Sequence, residues 1–329
     1  MYNLIAIGDP VIDTHIQIDD SCAECQVAEL KEMELCLDYG AKIPIVDSFQ
    51  ALGGNAPNVA VGAQKLGLTT AVVSTVGGDM NGQSAIEELK KQNVNTDYIT
   101  FDKDAKTRYS IILNYKQERT ILSYTDKKNY QWPQPFPATE WIYYTGLSEG
   151  HDTVQTALIK LLMDHPTIKL AINPGSYLLK YALTTLRDVV RRADLLIVNK
   201  EEAEKILGRT EEEEKSITAV IHELLGMGVR EVALTDAKRG AWAGDRDELW
   251  HLDPYPVEVV AKTGAGDAFS SAYIAARHFG HDIPHALEWG TANACNVVQQ
   301  HGPQAGMMDQ NGVQGFIRRF KKIKPQKII

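Results

Sequence analysis

Residues 4–7 form an apolar run that stops at Gly8-Asp9-Pro10, the pattern of a buried strand entering a turn. Ile16 and Ile18 alternate with Gln17 and Asp19, the period of a half-exposed strand. Residues 28–37 have the spacing of a short helix, and residues 42–49 that of another strand. After Gly53-Gly54, Ala and Val recur at helical spacing over 55–66 and stop at Gly67, a helix-ending residue. A strand over 70–76, broken by Gly77-Gly78-Asp79, and a helix over 82–92 follow. Residues 107–124 differ from their neighbours: two apolar arms flank Lys116-Gln117-Glu118, the pattern of a β-hairpin.

From Trp141 onward strand and helix patterns alternate. Strands are predicted over 141–145, 169–173, 195–199 and 229–235, with helices over 153–163, 181–192, 200–207 and 215–227. Residues 242–260 read as a strand pair, ending in the strand-like 257–260, and 267–279 and 283–300 as long apolar helices. Such alternation predicts an α/β fold whose mostly parallel sheet is covered on both faces, with ligands at the carboxyl ends of the strands. The strand-rich segments at about 13–50 and 96–128 interrupt it and predict a small β-sheet lid inserted into the larger body. A length of 329 residues fits roughly two average domains, but α/β units often exceed that size, and a single domain over 1–329 is expected.

Composition narrows the function. With 43 acidic and 34 basic side chains the net charge is −9, which argues against a nucleic-acid or anionic-membrane partner while leaving room for a local phosphate pocket. The acidic run 211–214 reads as a solvated helix start and the basic tail 318–327 as an exposed terminus. The first residues lack the features of a signal peptide, and no run approaches eighteen apolar residues, so a cytoplasmic protein is expected. Four cysteines do not make a disulfide framework in a chain this long.

The strongest local signal is Thr263-Gly264-Ala265-Gly266-Asp267 at the start of an apolar helix. The glycines permit a tight turn and close approach, and a helix start offers free N–H groups to an anion. Asp267 reads either as a helix cap or as a carboxylate base beside that anion hole. In Gly53-Gly54-Asn55-Ala56-Pro57-Asn58 two carboxamides stand three apart, able to hold the hydroxyls of a polyol, and Asp13 offers an acceptor to sugar hydroxyls. Each of these also has a plainer reading: Gly-Gly as a turn, Asn as a cap and Asp13 as a turn residue.

Together with Gly8-Asp9-Pro10-Val11-Ile12-Asp13, Val76-Gly77-Gly78-Asp79-Met80-Asn81-Gly82 and Asn199-Lys200-Glu201-Glu202, these motifs occur in an order that resembles the ribokinase-like (PfkB) family of carbohydrate and nucleoside kinases. The resemblance runs from Ile5 to about Ala305, and Gly264-Ala265-Gly266-Asp267 is its most specific element. It implies an α/β/α sandwich with a β-sheet lid, and transfer of the ATP γ-phosphoryl group to an alcohol, such as the hydroxymethyl of a sugar. It also implies Asp267 as base, Gly264, Ala265 and Gly266 as anion hole, and Asp13, Gly54, Asn55 and Asn58 as sugar ligands, with Arg108 and Arg119 reaching in from the lid. Asn199 and Glu202 match the motif that positions hydrated Mg²⁺, Glu202 acting through water. Thr235, Asn293 and Gly302, in the loop Gly302-Pro303-Gln304, match the nucleotide pocket.

Two departures stand out. The family glycine two residues after Thr235 is Ala237 here. An acidic ligand for an activating monovalent cation is replaced by Ala261, followed by Lys262, so independence from added K⁺ is expected, the Lys262 ammonium replacing the ion's field or else pointing to solvent. Cys22, Cys25 and Cys36, with His15, hint at a metal knuckle that lacks a clear fourth ligand; Cys295 reads as core. The alternatives to a sugar kinase are a nucleoside kinase of the same family and a non-catalytic sugar-binding protein on the same fold. A homodimer through the lids is expected, since edge strands invite pairing.

Overall fold

Leu4 and Ala6 belong to one apolar core, Ile5 and Ile7 to a second, and all four are buried. A strand buried on both faces needs helices on both sides. The computed structural model describes residues 1–19, 24–27, 33–115, 118–209 and 216–329. Its strands are β1 (Tyr2–Ile7), β2 (Val11–Ile18), β3 (Glu24–Val27), β4 (Met33–Cys36), β5 (Ile45–Gly53), β6 (Thr70–Gly77), β7 (Ile99–Asp102), β8 (Arg108–Tyr115), β9 (Glu118–Tyr124), β10 (Thr139–Tyr144), β11 (Lys169–Ile172), β12 (Leu195–Asn199), β13 (Glu231–Thr235), β14 (Ala241–Gly244), β15 (Leu249–Leu252) and β16 (Gln326–Lys327). Its helices are α1 (Asn55–Lys65), α2 (Met80–Lys91), α3 (Asp152–Asp164), α4 (Ser176–Tyr181), α5 (Leu183–Val190), α6 (Lys200–Leu207), α7 (Ile217–Gly226), α8 (Ala265–His278), α9 (Ile283–Val297) and α10 (Gln310–Arg319).

Ten strands form one sheet in the order β16-β15-β14-β13-β12-β11-β10-β1-β6-β7. It is parallel from β13 to β7 and antiparallel at β14, β15 and β16. Helices α1, α8, α9 and α10 pack on the face of Leu4 and Ala6, and α3 to α7 on that of Ile5 and Ile7. A one-residue slip of β1 would exchange its two faces, so burial on both sides pins the register. The result is the α/β/α sandwich that the resemblance implies.

A second sheet has the order β5-β2-β8-β9. In its register Val11 stands opposite Arg108, Asp13 opposite Ser110, His15 opposite Ile112, and Asn114 opposite Arg119. With side chains alternating along each strand, Asp13, His15, Arg108 and Arg119 share one face.

Several expectations are corrected. In the segment 28–37 no helix is seen among the described residues: Met33–Cys36 is a strand paired with β3, and 28–32 lie outside them. Cross-strand pairing there outweighs weak helical spacing. The segment 96–128 is not all small sheet, because β7 joins the large sheet beside β6. The helix expected over 181–192 is α5, and a separate α4 precedes it, divided from it at Ala182, whose φ of −133° leaves the helical range. Residues 257–260 form no strand; Val260 and Ala261 donate instead to the Val298 carbonyl beyond α9. The basic side chains of the tail are exposed, as expected, while α10, β16 on the sheet edge and a 3.0 Å Lys324–Glu288 ion pair fix its backbone. The acidic run 211–214 lies outside the described residues.

Candidate active site

Helices α1 and α8 approach closely because Gly62 has no side chain: a Cβ there would stand 2.7 Å from the Ser271 Cβ. This contact brings their first turns together. Asn58 Nδ2 donates to Asp267 Oδ2 at 2.8 Å, and Gln304 Nε2 donates to Asn58 Oδ1 at 2.9 Å. Asn58 is therefore buried with both ends of its amide engaged. In this structure Asn58 holds the aspartate. Asn55 donates to Asn173 Oδ1 at 3.2 Å.

Asp267 does not cap its helix. Gly264 occupies the cap position in a left-handed conformation (φ +82°), and no side chain caps the α8 amides. A Cβ on Gly264 would lie 2.5 Å from Pro303 Cα, so glycine is needed for both conformation and space. By contrast Asp79, Ser216, Asp282 and Asp309 cap α2, α7, α9 and α10. The open α8 start, with free space beside Gly266, is an anion site by geometry and dipole. Burial pushes the Asp267 carboxyl up to about 6, the hydrogen bonds from Asn58 and Asn55 oppose this, and the charge of Asp13 adds to it.

Across the gap, Asn199 and Glu202 form a capping box on α6: Glu202 N donates to Asn199 Oδ1 at 2.9 Å and Asn199 N to Glu202 Oε2 at 3.0 Å. Asn173 Nδ2 also donates to Glu202 Oε2, at 3.3 Å. Burial raises the Glu202 carboxyl to about 7, against these hydrogen bonds. A cavity of about 200 Å³ opens between the helix starts and is lined by Asn55, Asn199, Glu202, Thr235, Gly264, Gly266 and Asp267, all named from the sequence. Asn173 and Ser270 line it too and were missed. Asn173 is the last residue of a predicted strand, at its carboxyl end, which was the available signal.

The other expected residues lie around this centre. Asp13 is buried; desolvation lifts its carboxyl to about 6, while a hydrogen bond from Ser110 and the charges of Arg108 and Arg119 oppose the rise. A Cβ on Gly53 would fall 2.1 Å from Asp13 Oδ2, so that glycine makes room for the carboxylate. Gly54, with φ +95°, brings its backbone against the Asp9 carbonyl. Arg119 Nη1 donates to Thr263 Oγ1 at 2.5 Å, joining the small sheet to the loop before α8. Gly302 is in a left-handed conformation (φ +99°) one residue before Pro303. Ala237 adopts φ +36°, the region a glycine would enter freely.

Asn293 lies away from the cavity lining. It is fully buried beneath α8, donating to the Ala268 carbonyl at 2.9 Å and accepting from Met308 N at 3.0 Å. It ties α8, α9 and the following loop together and does not line the cavity. Sequence reading also missed Asp9, which accepts from Ser74, Tyr130 and Ser148 and pairs with the fully buried Lys128 at 3.1 Å. Burial works against its charge, but Lys128 and Arg108 hold its carboxyl below the usual range. No group of three metal-ligating side chains occurs among the described residues. Cys22 lies outside them, Cys25 falls in β3, and Cys36 is a free thiol. Cys295 packs partly buried against the core.

The chain matches the pfkB family carbohydrate kinase model over residues 34–311 and belongs to that family. It is 22% identical to the ribokinase of Staphylococcus aureus (strain COL), over 78% of this chain and 84% of that one. It is 24% identical to the nucleoside kinase of Methanothermobacter thermautotrophicus, over 93% of each. Among solved structures, Arabidopsis thaliana ribokinase complexed with ribose and ATP superposes with a TM-score of 0.77 at 19% identity, covering 96% of this chain and 99% of that one. The protein is thus an ATP-using kinase of the sugar and nucleoside kinase family. Among the described residues no helix is long and apolar enough to cross a membrane.

Proposed function

We propose that the protein transfers the γ-phosphoryl group of ATP to an alcohol group, such as a hydroxymethyl, of a sugar. The observation that carries this reading is the Asn58-held Asp267 carboxylate beside an uncapped helix start, on the wall of one cavity. Asp267 takes the proton from the attacking hydroxyl, and the amides of Gly264, Ala265 and Gly266 hold the transferring group. Asp13, Gly54 and Asn55 orient the acceptor, with Asn58 fixing the base. Asn199, Thr235 and the Gly302 loop receive the nucleotide. A binding-only protein has no use for a carboxylate base at an anion hole, and a nucleoside acceptor is the second reading.

The donor set fits hydrated Mg²⁺: one carboxylate, Glu202, faces the cavity with Asn199 and Asn173 beside it, and burial discourages its charge until a cation arrives. When bound, the ion neutralises phosphate charge. Glu202 and Asn199 would hold it through water. Ala261, whose amide donates to Val298, brings no carboxylate to a monovalent cation. The small sheet serves as lid to this site. Ile45, Val46, Tyr109 and Leu122 on it are exposed apolar groups that a homodimer would cover; a sedimentation mass of one chain at micromolar concentration would contradict the dimer. We place the reaction in the cytoplasm, where ATP is held.

The test is ADP release over pentoses, hexoses, sugar acids, sugar phosphates and nucleosides, in Na⁺ and K⁺ buffers. Turnover of a sugar at equal rate in both salts is expected. Absence of ADP release with every acceptor would overturn the reading, and strict K⁺ dependence would overturn the cation-free part of it.

A further inference from the structure

The lid face that carries Asp13 also carries Arg108, His15 and Arg119. Among the described residues, two buried nitrogens on it have no hydrogen-bond partner: Arg108 Nε and His15 Nε2, the latter on a side chain only 6% exposed. Buried polar groups are nearly always paired, so two orphans on one face point to a ligand that completes them. The Arg108 guanidinium reaches from the first residue of β8 to Gly146, just beyond the carboxyl end of β10, where a Cβ would stand 3.7 Å from Nη1. That is the strand edge at which parallel sheets hold their ligands.

Arg108 acts through its charge on Asp9 and Asp13, but neither acid completes its Nε with a hydrogen bond. Asp9 already has Ser74, Tyr130, Ser148 and the Lys128 ammonium. Asp13 receives Ser110 and is partly desolvated. Arg119 anchors to Thr263, and His15 stacks on Phe49 at 4.4 Å while lying near Arg119 and His301. Burial keeps the His15 imidazole neutral, so the acceptor side of the site offers one guanidinium and one neutral imidazole nitrogen that no described side chain completes.

Resting on the kinase reading above, we propose that the acceptor is an anionic sugar, whose carboxylate or phosphate is held by Arg108 with His15 beside it, while Asp13 takes a hydroxyl. Arginine suits this role because its planar fork binds either group through two parallel hydrogen bonds.

The experiment compares the intact chain with Arg108→Met and Arg108→Lys. Each is given aldonic and keto-sugar acids, sugar phosphates, and the matching neutral sugars. ADP release is measured, and acceptor binding by calorimetry in parallel. The inference expects an acid or a phosphate to be preferred. Arg108→Met should weaken that acceptor's binding about 10- to 100-fold, with a larger change in KM than in kcat, and Arg108→Lys should restore part of it. The acid and phosphate arms separate the two sources of the anion. Preference for a neutral sugar, or binding of the anionic acceptor unchanged in Arg108→Met, overturns the inference and leaves the kinase reading standing. Binding of an anionic sugar that is lost in Arg108→Met, without ADP release, supports the inference and overturns phosphoryl transfer. Neither binding nor turnover with any acceptor overturns both.

Discussion

At the residue scale the site turns on how one carboxylate is kept. Asp267 is buried, held by Asn58, and titrates at about 6, well above an ordinary aspartate. A general base must be ionised, so kcat/KM should climb about tenfold per pH unit below about 6 and level off above it. A flat profile from pH 5 to 8 would remove Asp267 from that role. The same shift has a cost in stability. Because the folded state raises this pKa from 3.8, it binds the proton more tightly than the unfolded chain, and stability declines as pH rises from about 4 to about 6. Asp267→Asn, which keeps an acceptor for Asn58, should therefore be more stable at pH 7.5 by about 1–3 kcal/mol, read as a higher Tm. An unchanged or lower Tm would mean that burial does not strain the charge.

At the scale of elements, two helix starts and a strand-bound loop are brought to one point by close packing. Gly62 lets α1 lie against Ser271 of α8, and the Asn58–Asp267 hydrogen bond depends on that spacing. Gly62→Val should push the helices apart, costing about 1–3 kcal/mol in denaturant unfolding. It should also lower kcat more than it raises the acceptor KM, since the base loses its holder. Loss of stability with intact kcat would show that the helix contact is separable from the site. Arg119 acts at this scale too, since its bond to Thr263 ties the small sheet to the loop that opens α8.

At the scale of the whole molecule, the body was readable because its strands are buried on both faces and its helices alternate with them. Glycine and aspartate marked the α8 start, and the order of the motifs carried the resemblance to a kinase family. What was not readable lay in long-range pairing. Asn58 and Asp267 are 209 residues apart, and no local pattern shows that an amide named as a sugar ligand holds the base. Tyr130 and Asp9 are 121 apart and surrounded by ordinary sequence. Residues 257–260 looked like a strand because valines favour strands, but no neighbouring strand was there to accept them. Asn293 matched a family position, yet its amide is used inside the core.

The claim on which the account rests is that Asp267 removes a proton from the acceptor alcohol. Once an acceptor is in hand, kcat and the acceptor Kd should be measured side by side for Asp267→Asn and the parent chain. The account predicts a fall in kcat of about 10²- to 10⁴-fold with the Kd nearly unchanged. Equal kcat in the two proteins would contradict it.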